Sequence, residues 1–319
     1  MRKYNFDFIK NRKIFFGISL GIMIVGIIFN IIFGTQLDIQ FTGGAIARYS
    51  YSGEVKEETL IDVIQKATEK TVSVQINESL AKDNSLSKTV SISFSGNDAI
   101  TLDQQHKLTS ELTEKFPDNK FEQVEISSVN PSMGRTFLFK CLFAIALASV
   151  LMVIYVAFRF RKIGGWSAGV MALLALVHDV IMVYFTFVIF RLPLDSNFIA
   201  VVLMILGYSL NDTIVIYDRI RENKRILGPK TDVATLVNMS INQTLGRTIN
   251  TSITTVVAIG TVLVVALVYN LSSVVTFALP MVIGIISGCY STISIAGPLW
   301  VMWQQHKNAR NADKSQKLD

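Results

Sequence analysis

Charge is scarce in this chain. Asp, Glu, Lys and Arg together make up 17% of the 319 residues against 50% hydrophobic ones, a balance that excludes an ordinary soluble globular domain. Cysteine is nearly absent: Cys141 and Cys289 both fall inside long apolar runs, so they form no disulfide framework. Between the first two apolar runs, no His, Cys or carboxylate cluster has metal-ligand or catalytic spacing, and no segment brings together a nucleophile, a base and an orienting group. Neither an enzyme nor a cofactor or metal site is expected. The first apolar run ends in no small-x-small cleavage site, which favours a retained anchor over a signal peptide.

What is present is hydrocarbon. About 20 helical residues cross a bilayer core, and six runs qualify, at 14–34, about 136–158, 166–190, 198–217, 248–269 and 274–303. Orientation follows from Lys and Arg near the span ends. Arg2, Lys3, Lys10, Arg12 and Lys13 precede the first span, and Arg159, Arg161 and Lys162 follow the second. Arg219, Arg221, Lys224, Arg225 and Lys230 follow the fourth, and Lys307, Arg310, Lys314 and Lys317 follow the sixth. All fall on one side, so a multi-pass plasma-membrane protein with both termini cytoplasmic is expected. Its parts are a tail at 1–13, a first transmembrane helix at 14–34, an extracytoplasmic domain at 35–134, five further helices within 135–303, and a tail at 304–319. The outer segment carries 9 Lys and Arg against 15 Asp and Glu, so the overall charge of +6 resides in loops facing anionic membrane lipid. A nucleic-acid surface is not implied.

From Ala45 the pattern shortens. AIARYSY, TVSVQIN, KTVSISFS and FEQVEISSV alternate as strands do, while KEETLIDVIQKATEK and the segment after Thr101, a candidate N-cap, have helical periodicity. The order is strand, helix, strand, strand, helix, strand, which predicts an α+β ferredoxin-like domain. It has the character of a binding or coupling module, and His106 reads as a solvated surface residue.

Polar residues interrupt three spans. His178 and Asp179 sit near the middle of the third, Asn211 and Asp212 lie some six residues from the end of the fourth, and Arg247 opens TINTSITT in the fifth. An intramembrane acid is costly and usually faces a partner or a water-filled path. Desolvation favours a neutral carboxyl and an approaching guanidinium favours the charged one, so movement of Arg247 relative to Asp212 would make a proton switch. Packing remains open for His178 and Asp179, an interfacial anchor for Arg247, and interhelical hydrogen bonding for Ser252, Thr254 and Thr255. Gly17 with Gly21, and Gly284 with Gly288, form two GxxxG pairs suited to close helix contacts.

LDIQFTGGA after the first span, VHD in the third, LGYSLNDTIVIYDRIREN across the fourth and LGRTINTSITT entering the fifth resemble the motifs of the SecF family, the smaller half of the SecDF protein-export complex. The resemblance spans essentially the whole chain. It implies a six-helix unit related to the resistance-nodulation-division transporters and completed by a SecD partner into a pseudo-symmetric twelve-helix unit. It also implies proton-gradient-driven assistance to late protein export with SecYEG, SecA and the translocating preprotein. Asp212 and Arg247 carry the family's coupling residues; Asp38, Phe41, Thr42, Gly43 and Gly44 carry the motif joining span one to the outer domain. Two departures stand out: the large SecD outer domain is missing, and Tyr217 precedes Asp218 in span four. A half-unit exporter of lipids or small molecules, and a purely structural translocase subunit, are the competing readings.

Overall fold

The computed structural model describes residues 6–55, 57–68, 72–80, 86–94, 101–129, 131–228, 231–269 and 271–316. Of the residues read above, Arg2, Lys3, Lys230 and Lys317 lie outside these, as do Lys56, Glu69, Lys70, Thr71 and Ser95 at the edges of outer-segment elements. The chain is mostly helical, with six helices long and apolar enough to cross a membrane among the described residues. Their ends differ from the hydropathy boundaries in informative ways.

Helix α1 (Arg12–Phe33) leads through a short α2 (Ile39–Thr42) into an α+β unit. There β1 (Gly44–Tyr51), α3 (Glu57–Thr68), β2 (Val72–Leu80), β3 (Leu86–Phe94), α4 (Leu102–Lys115) and β4 (Glu122–Val129) follow in turn. The sheet is antiparallel in the order β2-β3-β1-β4. Alternate residues of the strands, among them Ala47, Tyr49, Val90 and Ile92, bury one face against Leu60, Ile64, Leu108 and Leu112 of the two helices. Thr101 starts α4 with a reciprocal cap: its hydroxyl accepts from the Gln104 N–H, and the Gln104 side chain accepts from the Thr101 N–H.

The membrane unit comprises α5 (Pro131–Arg159), α6 (Gly165–Ile189), α7 (Ser196–Leu227), α8 (Val233–Val268), α9 (Ser272–Ser291) and α10 (Gly297–Gln316), with a buried π-helical turn at Thr292–Ala296 between the last two. Helix α7 does not stop where the apolar run ends. DRIRENKRI continues it to Leu227, where Gly228 at φ 84° terminates it. Helix α8 likewise begins some fifteen residues before the apolar run, capped by Asp232, whose carboxyl accepts from the Thr235 N–H.

Helices α6 and α7 form the buried centre, while α1, α5 and α8 expose most of their apolar side chains. Glycine sets the closest approaches. Gly165 lies so near the Ala157 carbonyl that no side chain fits between α5 and α6. A Cβ at Gly284 would stand 2.7 Å from Ile205 and 2.9 Å from Val183, and one at Gly288 would stand 3.1 Å from the Ser209 Cβ. Gly17 and Gly21, by contrast, have nothing within 4 Å. The two GxxxG pairs therefore have different fates. Gly284→Val is expected to destabilise the isolated chain by about 1–3 kcal/mol through overpacking, whereas Gly17→Val and Gly21→Val should be silent. Thermal unfolding in detergent measures both, and equal losses would mean that α9 relaxes away from α6 and α7.

Candidate functional site

Two carboxyl groups inside the helical unit have opposite surroundings. Asp179 on α6 is fully buried and committed. Its Oδ2 accepts from the hydroxyls of Ser209 on α7 (2.8 Å) and Ser291 on α9 (2.7 Å), and its Oδ1 accepts from Ser287 on α9 (2.8 Å). His178 Nδ1 lies 3.2 Å from Oδ1. Three helices are thereby tied to one side chain. Gly288 lets Ser209 approach, since a Cβ there would lie 3.1 Å from the Ser209 Cβ and 3.3 Å from its Oγ.

The cluster continues along α7 and the π-helical turn. The Thr213 and Thr292 hydroxyls lie 3.2 Å apart, and the Ser209 carbonyl is within reach of both; one hydroxyl donates to that carbonyl and the other either to it or to its neighbour. On the other side the His178 ring lies 6.2 Å from the Tyr290 ring, whose hydroxyl donates to the Phe15 carbonyl of α1 at 2.6 Å. His178 Nε2 is buried with no partner among the described residues.

Asp212, one turn beyond Ser209, is also buried, at 3% exposure. Its Oδ2 has no hydrogen-bond partner among the described residues. Arg247 on α8 is the cation whose charge acts on it, yet the two form no ion pair within 4.0 Å among the described residues. Arg247 and Asn211 instead line a cavity of about 2760 Å³ on the face where α1 begins and α7 continues past the apolar run. Thr248, next to Arg247, also holds a buried hydroxyl without a partner among the described residues. Asp212 thus keeps a carboxyl oxygen without a partner among the described residues, next in sequence to Asn211, which shares the cavity wall with the Arg247 guanidinium. A buried polar atom left unpaired is costly and marks a place where water, an ion or a proton has work to do.

Sequence reading placed His178, Asp179, Asn211, Asp212 and Arg247 in one group. Asn211 and Arg247 line the cavity and Asp212 is buried beside Asn211, whereas His178 and Asp179 belong to the serine-bound cluster. Ser209, Ser287 and Ser291 escaped notice, although Ser287 and Ser291 repeat at the spacing of Gly284 and Gly288 on one helix. Tyr217 is turned away from the cavity: it is fully buried against Phe160 and Trp300, and its hydroxyl donates to the Ala168 carbonyl at 3.1 Å.

The motif after α1 forms a clip between the α+β unit and the bundle. Asp38 caps α2, its carboxyl accepting from the Gln40 N–H at 2.9 Å. Its N–H donates to the Leu194 carbonyl, and the Leu194 N–H donates to the Gln36 carbonyl, fastening this turn to the α6–α7 loop. Phe41 is buried and stacks on Phe137 of α5, while the Thr42 hydroxyl donates to the Asp38 carbonyl. Gly43 and Gly44 take φ of 78° and 131°, values that favour glycine, and Gly134 of α5 packs against the Gly43 nitrogen. Burial raises the nearby Asp195 carboxyl above its ordinary range, with a smaller upward contribution from the Asp38 charge, and the N–H groups of Phe198 and Asn197 oppose the shift.

A family profile described as "Protein export membrane protein SecD/SecF, C-terminal" matches residues 108–306. The chain belongs to the SecD/SecF protein-export family. It is 30% identical over 317 residues to the protein translocase subunit SecF of Alicyclobacillus acidocaldarius, covering 98% of both chains. It is 33% identical to protein translocase subunit SecDF of Bacillus subtilis, where it covers 93% of this chain and spans 38% of that protein's length. Among solved structures it superposes on SecDF, a translocon-associated membrane protein from a Thermus species, with a TM-score of 0.77 and 29% identity, covering 95% of this chain and 39% of that one. A SecDF crystal structure in a super-membrane-facing form matches with a TM-score of 0.64, spanning 41% of its chain. Membership in the SecD/SecF family supports a role in protein export for this multi-pass membrane chain.

Proposed function

We propose that the chain is a proton-gradient-coupled subunit of the Sec translocase that promotes a late step of export and acts mechanically, not as a chemical catalyst. In this reading its partner is a SecD half, its targets are the SecYEG channel with SecA and the translocating preprotein, and both termini are cytoplasmic. The β-α-β-β-α-β unit is then a ferredoxin-like domain on the outer face, and the Asp38–Gly44 clip transmits helix movement to it. No cofactor or metal is required.

One observation carries the reading. Asp212 keeps an unpaired carboxyl oxygen inside the apolar bundle, beside a cavity whose wall carries the Arg247 guanidinium. A group so placed can take a proton from one side and release it to the other, and 100 mV contributes about 2.3 kcal/mol per charge moved. The Asp179 cluster, with every carboxyl oxygen committed, serves instead to hold α6, α7 and α9 in register. The outer segment of about 100 residues argues against a small-molecule exporter, which would need a larger substrate-enclosing domain.

Vesicles containing the chain together with its SecD partner should acidify on imposing an inward proton gradient, read with an entrapped pH dye. Acidification no faster than in vesicles holding the SecD partner alone would leave only a structural role for the chain.

A further inference from the structure

The cavity beside Arg247 is far more basic than orientation alone requires. Eleven Lys and Arg side chains line it against Asp7, Asp218 and Glu222. Those three acids are already engaged or outnumbered: Asp218 pairs with Arg159 and Arg221, and Glu222 pairs with Arg219. Lys10, Arg12, Lys13, Lys162, Lys224 and Arg225 make no ion pair among the described residues. So many like charges around one concavity sum to a positive potential that draws anions into it.

The wall is also amphipathic. Phe158, on the last turn of α5, is 70% exposed, and the Arg161 guanidinium lies over its ring at 5.8 Å from the centroid. Ile214 and Val215 of α7 add further apolar lining. Exposed apolar side chains at the ends of spanning helices, next to unpaired cations, match the boundary between acyl chains and headgroups. A soluble acidic peptide has no use for the apolar part.

We propose that this cavity is a binding site for the phosphate headgroup of an anionic phospholipid, held by Lys162, Lys224 and their neighbours with an acyl chain along Phe158. The site is independent of the proton-coupling reading. Lipid binding there neutralises the cavity next to Arg247 and thereby sets the field in which that guanidinium stands.

The full-length chain is placed in nanodiscs of phosphatidylcholine with a minor fraction of phosphatidylglycerol, and retained lipid is counted by native mass spectrometry after delipidation in detergent. Phosphatidylglycerol should be enriched over phosphatidylcholine. Replacing Lys162→Gln together with Lys224→Gln should lower its retention on the order of 30-fold, since each Lys or Arg near an anionic surface is worth about fivefold. Both side chains are solvent-accessible, and circular dichroism checks that the variant is folded. The matched change Lys307→Gln with Arg310→Gln, on α10 outside the cavity, should leave retention unchanged. Equal loss in both variants would reduce the effect to general surface charge, and absence of enrichment in the wild-type chain would remove the site. Retention of inorganic phosphate by the lipid-free chain as tightly as of the phospholipid would make it a free-anion site, and preferential capture of polyglutamate would make the occupant a polypeptide.

Discussion

Asp212→Asn is expected to leave the chain inserted at wild-type abundance while removing the gradient-dependent part of protein export. Asparagine matches the shape of aspartate and cannot release a proton. Because Asp212 Oδ2 has no partner to lose, the substitution should change stability by less than about 1 kcal/mol, the scale of a single hydrogen bond. The measurement is translocation of a reporter into vesicles with and without a proton gradient. Wild-type stimulation by the gradient in the variant would end the coupling reading. Arg247→Ala should remove the same stimulation, and the double variant should be no worse than either single one if the two act as a unit. Additive losses would mean separate roles, with Arg247 acting only at the cavity wall.

Asp179→Ala should do the opposite, breaking the structure before the transport. Three serine hydroxyls from two neighbouring helices lose their shared acceptor. Hydrogen bonds between membrane helices are worth about 0.6 to 1.7 kcal/mol each, which puts the loss at roughly 2 to 5 kcal/mol. A lowered unfolding midpoint in detergent and faster degradation in cells are the readouts. Asp179→Asn keeps one acceptor oxygen and adds an N–H donor that the hydroxyls can accept, so it should recover most of that loss. If Asp179→Asn instead kept full stability and abolished gradient-dependent export, Asp179 would be a second proton carrier and not a clamp.

Much of the architecture is legible along the chain because its causes are local. A run such as residues 14–34 is a spanning helix through hydropathy alone, and Thr101 followed by Gln104 is a cap because both partners lie within one turn. Gly43 and Gly44 announce a turn with positive φ for the same reason. Helix ends were less legible: apolar length says where hydrocarbon stops, whereas α7 and α8 continue into polar sequence until a cap or glycine ends them.

Sequence by itself determined a six-span, basic-sided membrane chain with an α+β insertion and costly polar residues in its third, fourth and fifth spans. It named both Asp179 and Asp212 as candidate proton-coupling residues, with packing left open for Asp179, and read Gly17–Gly21 and Gly284–Gly288 as the same motif. Only the tertiary structure separated them. The donors that satisfy Asp179 stand 30, 108 and 112 residues away in the chain, so whether a buried carboxyl is paired depends on which helices pack together. Asp212 differs because the packing that surrounds it supplies no donor to Oδ2 among the described residues, while Arg247 lines a cavity beside Asn211, and neither fact is written in any local pattern of residues.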